Sequence, residues 1–96
     1  YSNKTKEDIA FFDELNRLSD NYKNIKVFHY LTRQKVKDKH IKEFNRIDMI
    51  SIKDKLKNLN NKDYFICGPI KFVADFRRAL LGNGINENQI RTEAFY

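Results

Sequence analysis

Two short, nearly unbroken apolar runs set the limits on what this chain can become. One lies in Ile25-Lys-Val-Phe-His-Tyr-Leu-Thr32, where positions 27 to 31 are apolar apart from His29. The other is Asp63-Tyr-Phe-Ile-Cys67. Runs of this length, rich in β-branched and aromatic residues, predict strands covered on both faces, the pattern of a parallel sheet. Around them the spacing becomes helical. Ile9, Phe12, Leu15, Leu18 and Tyr22 make one apolar face, behind a capping box at Thr5 and Asp8. A second box at Ser51 and Asp54 opens a shorter face of Ile52, Leu56 and Leu59. Pro69 suits the first turn of a third helix, with Ile70, Val73, Phe76 and Leu80 inward and Gly82 as its C-terminal glycine. Residues 33 to 50 show neither period and predict a long loop. Residues 89 to 95 read as a last strand. Strands alternating with helices predict an α/β fold, an open parallel sheet with helices on both faces.

Ninety-six residues allow one domain. With 41% hydrophobic and 14% aromatic residues the chain can build a core. The single cysteine, Cys67, excludes an internal disulfide framework and a cysteine-built zinc cage, so no metal site is expected. It also points to a reducing, cytoplasmic compartment. No apolar run approaches the roughly 20 residues that span a bilayer, and no targeting segment is visible at the start. His29, within a strand, reads as a packed, hydrogen-bonded histidine rather than a catalytic base.

Charge says more. The net charge is +6, from 19 Lys and Arg against 13 Asp and Glu. All of the excess sits between Arg33 and Lys62, where ten basic residues stand among four acids. Such a block suits a nucleotide phosphate, a nucleic acid or an acidic protein, or is simply a solvated surface. The aromatics fall on core faces and no nucleic-acid motif occurs, so nucleic acid is not expected.

The segment with chemical content is Tyr64-Phe-Ile-Cys-Gly-Pro69. A strand ends at Cys67, and Gly68 lets a planar ligand approach the backbone. The helix after Pro69 begins with free N–H groups that favour negative charge. This is the carboxyl end of a parallel strand, where open α/β sheets bind ligands. Cys67-Gly68-Pro69, with Glu93-x-Phe95 about 25 residues later near the end of the sequence, resembles the C-terminal half of the NAD(P)H-binding domain of the ferredoxin–NADP reductase superfamily. Tyr1-Ser-Asn-Lys-Thr5 is similar to the end of that family's second strand. Tyr30-Leu-Thr-Arg33 is similar to its third strand and Ser/Thr-Arg ending, and Asn45-Arg46-Ile47 stands where many members have Gly-Arg and an aliphatic residue.

The resemblance implies a Rossmann-like domain and roles for particular residues. Cys67 would lie beside the nicotinamide ring, with Gly68 and Pro69 shaping the same pocket. Glu93 would be the carboxylate near flavin and nicotinamide, so Cys67 and Glu93 are the implied catalytic pair. Phe95 or Tyr96 would cover the flavin. Thr32 and Arg33, with charge from Lys35, would contact the adenosine side, without choosing between NADH and NADPH. The implied function is a flavin-dependent oxidoreductase that passes electrons from NAD(P)H through FAD or FMN to a one-electron acceptor. The implied partners are a nicotinamide nucleotide, a flavin domain of the same parent protein and an acidic redox protein. The other reading is a non-catalytic basic α/β module that binds nucleic acid or an acidic protein.

The family's domain begins with a strand and a Gly-rich turn, whereas the only glycines here are Gly68, Gly82 and Gly84. Residues 1 to 96 are therefore expected to form a partial NAD(P)H-binding domain, without that first strand and without the flavin-binding β-barrel. The isolated chain is expected to be inactive, its open strand edges closed by direct pairing or by dimerisation.

Overall fold

Among the described residues, five strands and three α-helices follow one another, helix between strands except from the second strand to the third, and every pairing between these strands is parallel. The computed structural model describes residues 1–95. The strands form two sheets, one of three strands and one of two. The chain correspondingly divides into two units, Tyr1–Ile47 and Asp48–Tyr96. The α/β class and the parallel pairing follow the sequence expectation; the distribution over two small sheets is new.

In the first unit, β1 (Ser2–Asn3), β2 (His29–Leu31) and β3 (Ile41–Glu43) lie in that order, with α1 (Phe12–Asn21) between β1 and β2 in sequence. All three residues of β2 are buried, as a strand covered on both faces requires. The strand is shorter than the apolar run because β1 offers it only Ser2 opposite Tyr30 and Asn3 opposite Leu31. Ile9, Leu31 and Ile41 form the core, with Phe12, Val36 and Phe44 packed against them.

Three features of this unit differ from the sequence reading. The Thr5–Asp8 box caps a short 3-10 turn, Lys6–Asp8, instead of α1. The Asp8 carboxylate accepts from both the Thr5 N–H and its hydroxyl. Helix α1 starts later, after Phe11, whose φ of 58° places it in the left-handed region. The inward face of α1 is rotated accordingly: Leu18 and Tyr22 are exposed, and Asn16 is buried. Third, β3 forms within the expected loop; with three residues and only Ile41 buried, it leaves no readable alternation.

Asn16 is inside because His29 is. The His29 Nε2–H donates to Asn16 Oδ1 at 2.9 Å, and the ring stacks at a tilt on Phe12. His29 is 1% exposed. Burial is the main cause of its lowered pKa, and the nearby Tyr1 ammonium and His40 push the same way. The packed-histidine reading thus holds.

The second unit contains α2 (Met49–Leu56), β4 (Tyr64–Pro69), α3 (Ile70–Gly82) and β5 (Ile90–Phe95). Helix α2 starts earlier than the Ser51 box implies. Asp48 is its N-cap and its carboxylate accepts from Ser51 N–H at 2.9 Å. Ile66, Val73, Leu80 and Ile85 are the buried core, and each such side chain contributes about 1.5–3 kcal/mol. Ile70, expected inward, is exposed, and Phe72 packs against the core instead, stacked on Phe76.

The end of α3 explains why Ile85 belongs to this core. Asn83 is the C-cap, and Gly84, at φ 85°, turns left-handed. The Gly84 N–H then donates to Leu81 O and the Ile85 N–H to Leu80 O, each at 3.1 Å. This Schellman turn closes the last carbonyls and packs Ile85 beside Leu80. The glycine that the turn needs is Gly84, not Gly82.

Stability of the first unit is expected to depend on pH through His29. Its folded pKa lies below its ordinary value of 6.5, so the contribution is complete above that value and is lost as pH falls below it. The melting temperature is therefore expected to drop between about pH 7.5 and pH 5, and less steeply in His29→Gln. An equal slope in the variant would refute this role.

Candidate functional site

Parallel strands put their carboxyl ends together, and the sequence-predicted residues gather there, in two groups. The first follows β2. Ladder bonding continues past the strands: Thr32 N–H donates to Asn3 O and Arg33 N–H to Lys4 O, both at 3.0 Å. The turn 3–5 and the segment from Thr32 therefore run side by side. Gln34 locks them, its Oε1 accepting from Lys6 N–H at 2.8 Å. Thr32, Arg33 and Lys35 are exposed. Among the described residues Arg33 and Lys35 have no ion-pair partner, so their charge faces solvent.

The second group is the end of β4 with the facing end of β5. The register sets Cys67 opposite Glu93, Gly68 opposite Ala94 and Pro69 opposite Phe95. Burial alternates along β4: Ile66 and Gly68 are buried, whereas Phe65, Cys67 and Pro69 are exposed. The strand was expected to be buried throughout; in fact α3 covers one face and the other is open. The reason is positional, since residues 64, 66 and 68 share the face that meets the α3 core. On the open face Phe65 is 77% and Phe95 51% exposed. Cys67 is a free, exposed thiol, and Glu93 is exposed beside it. Tyr96 lies outside the described residues.

Gly68 has a packing role that the sequence reading did not contain. A Cβ there would stand 3.0 Å from the Phe72 ring. Its missing side chain therefore lets α3 close on the strand, on the face opposite Cys67. Immediately after, α3 begins at Ile70 with no acidic residue in its first turn. Its free N–H groups keep their attraction for an anion.

A further concave surface lies elsewhere. A cleft of about 570 Å³ in the first unit is lined by Lys6, Phe12, Asn16, Asp20, Asp38 and His40, among others. None of the sequence-predicted residues lines it. Asp38 is its electrostatic centre: Oδ2 pairs with Lys6 Nζ at 3.0 Å, and Oδ1 accepts from His40 N–H at 2.9 Å. The His40 N–H first, and then the Lys6 ammonium, hold the Asp38 carboxyl below its ordinary pKa. The signal that could have found these residues is a period of two. Gln34, Val36, Asp38 and His40 are partly buried, while Arg33, Lys35, Lys37 and Lys39 are exposed.

Among the described residues no group of three or more His, Cys, Asp or Glu could hold a metal ion, and no helix is long and apolar enough to cross a membrane.

Gly68→Val is expected to destabilise the second unit by about 1–3 kcal/mol through overpacking against Phe72. Gly82→Ala, with nothing within 4 Å of the added carbon, is expected to be neutral or to gain up to about 1 kcal/mol. Urea denaturation of both variants measures the contrast; equal effects would mean that Phe72 does not impose the glycine.

Compared with known families, residues 1–78 match the model of the oxidoreductase NAD-binding domain. The match includes Thr32, Arg33, Lys35 and Cys67 to Pro69; Glu93 and Phe95 lie beyond it. No curated protein and no solved structure gives a significant match.

Proposed function

This chain belongs to the oxidoreductase NAD-binding domain family, of the ferredoxin reductase type, and we propose that it serves a flavin-dependent reductase as its nicotinamide-nucleotide module. The observation that carries the reading is the open face of β4 and β5, where Cys67 and Glu93 stand opposite one another beside Pro69 and Phe95.

Residues of each unit, taken separately, suit a part of such a ligand. Arg33 and Lys35, exposed at the end of β2, suit the phosphates and adenosine of a dinucleotide, and Arg33 adds a planar fork for bidentate pairing or stacking. Thr32 supplies a hydroxyl to the same segment. In the second unit, the first turn of α3 suits negative charge. Cys67 presents a small, polarisable thiol that leaves room for a flat ring, and Pro69 stiffens the border of that surface. Glu93 positions the ring through its carboxylate and can hold a proton there. Phe95 offers an exposed aromatic face that covers a flavin and yields to nicotinamide; Tyr96 is the neighbouring candidate for that cover. A nicotinamide nucleotide held by these residues would supply hydride chemistry, and a flavin, FAD or FMN, in the parent protein would supply single-electron transfer to an acceptor such as an acidic redox protein. The protein's part is binding, orientation and proton placement.

The test is a titration of the full 96-residue chain with NADH and with NADPH, followed by amide chemical shifts. Shifts at Thr32, Arg33, Cys67 and Gly68 are expected, and Arg33→Ala is expected to weaken binding about tenfold, the worth of one charge-assisted hydrogen bond. Unperturbed amides at millimolar nucleotide would remove the reading for this chain.

A further inference from the structure

The cations that follow β2 are not held by their own tips. Arg33 and Lys35 are exposed, without an ion-pair partner among the described residues. The strand beside them, β1, is only two residues long. The connection to which they belong, residues 32 to 40, has no helix of its own to pack it down. Register brings Arg33 to this end of the sheet, and a short series of hydrogen bonds keeps it there. Thr32 N–H donates to Asn3 O and Arg33 N–H to Lys4 O, both at 3.0 Å. The second of these lies beyond the last paired residues, Asn3 and Leu31, where a ladder opens most readily.

The next contact comes from a side chain. Lys6 is the first residue of the 3-10 turn Lys6–Asp8, and N–H groups at the start of such a turn have no partner within it. Thr5, at the N-cap, turns its hydroxyl to the Asp8 carboxylate. The Lys6 N–H finds its acceptor 28 residues away, in Gln34 Oε1 at 2.8 Å and in partly buried surroundings. Gln34 thus caps this turn from the neighbouring segment. Lys6 is a firm post for it, because its ammonium pairs with Asp38 at 3.0 Å. Along the segment Gln34 is partly buried, whereas Arg33 and Lys35 on either side are exposed. An inward side chain anchored at its tip steadies the backbone between two outward cations. Without the acceptor, the Lys6 N–H would be left unpaired in a partly buried place, and the segment would relieve that cost by parting to admit water.

We propose that Gln34 is a positioning residue for the adenosine diphosphate part of the nucleotide: by capping Lys6 it steadies Arg33, so that the guanidinium is already ordered when the ligand arrives. The consequence for binding rests on the function proposed above; the steadying of Arg33 does not. Gln34 itself touches no ligand in this scheme. Two properties follow from that. Only an acceptor of the same reach can serve, so a Glu carboxylate replaces the amide, whereas a Met thioether, a weak acceptor, does not. Gln34 and Arg33 also act as one unit, so the loss of either removes much of what the other contributes.

The probe is ADP-ribose, which has the adenosine and the diphosphate but no nicotinamide. It is titrated into the full 96-residue chain and followed by amide chemical shifts. Gln34→Met is expected to weaken binding about fivefold, the worth of one hydrogen bond, and Gln34→Glu to stay within about twofold of the wild type. Arg33→Ala is expected to weaken binding about tenfold in the wild type but only about twofold in Gln34→Met. Fully additive losses overturn the proposal, as does a Gln34→Met chain that binds like the wild type or a Gln34→Glu chain that binds as poorly as Gln34→Met. A second arm needs no ligand. Amide exchange at Lys6 and Arg33 is expected to quicken about fivefold in Gln34→Met and to return toward the wild-type rate in Gln34→Glu. Unchanged rates in Gln34→Met overturn the steadying. Gln34→Ala takes the place of Gln34→Met if the latter does not fold, and a wild-type Lys6 amide that exchanges as fast as unstructured chain overturns the proposal without any variant. A wild-type chain that binds neither ADP-ribose nor NADH, yet shows the exchange differences, overturns the nucleotide reading alone.

Discussion

Parallel pairing is the constraint on which the rest of this structure depends. A parallel pair cannot be closed by a tight turn, because the chain must travel back along the length of the strand before it can pair again. This molecule meets that demand in two ways. From β1 to β2 and from β4 to β5 the return path contains a helix, and in the second of these Val73 and Leu80 of α3 hold the return by apolar burial. From β2 to β3 the return is a bare segment, held by hydrogen bonds and ion pairs to Lys6 and Asp20. Burial responds little to pH or salt, whereas ion pairs respond to both. The chain therefore contains connections of unequal sensitivity.

The same constraint collects the chemistry. Parallel strands place their carboxyl ends, and the residues that follow, on one side of a sheet. Thr32 and Arg33 stand beside the turn after β1 for that reason, and Cys67 stands across from Glu93 for the same reason. None of these positions depends on a long-range side-chain network; each follows from strand direction and register.

How much of this could be read from the sequence varied with the length of each pattern. Strands β4 and β5 and helix α3 were legible because each runs for six residues or more, although β4 continues to Pro69, two residues past the Cys67 at which the sequence reading ends it, and α3 starts only at Ile70. The Cys67-Gly68-Pro69 end of β4 stands out as a motif and falls within the family match over residues 1–78. The start of α1 was misread because a capping box specifies a turn of backbone, and a 3-10 turn satisfies Thr5 and Asp8 as well as an α-helix does. Strand β3 was too short to show a period. The alternation over residues 33 to 40 escaped for a different reason: its inward side is mostly polar. Gln34, Asp38 and His40 are inward because they have partners there, and hydropathy does not register a partner. Gly68 was read as space for a ligand, whereas the atom that forbids a side chain, in the Phe72 ring, becomes visible only when α3 is folded back.

The alternation along β4 has an evolutionary consequence. Residues 64, 66 and 68 answer to the α3 core, while 65, 67 and 69 answer to whatever meets the open face. Two selective pressures thus occupy one strand without sharing a position. Change can proceed through the odd positions while the even ones keep the unit folded, so a lineage that no longer used the open face would lose the pattern at every second residue and keep Ile66 and Gly68 for the fold alone.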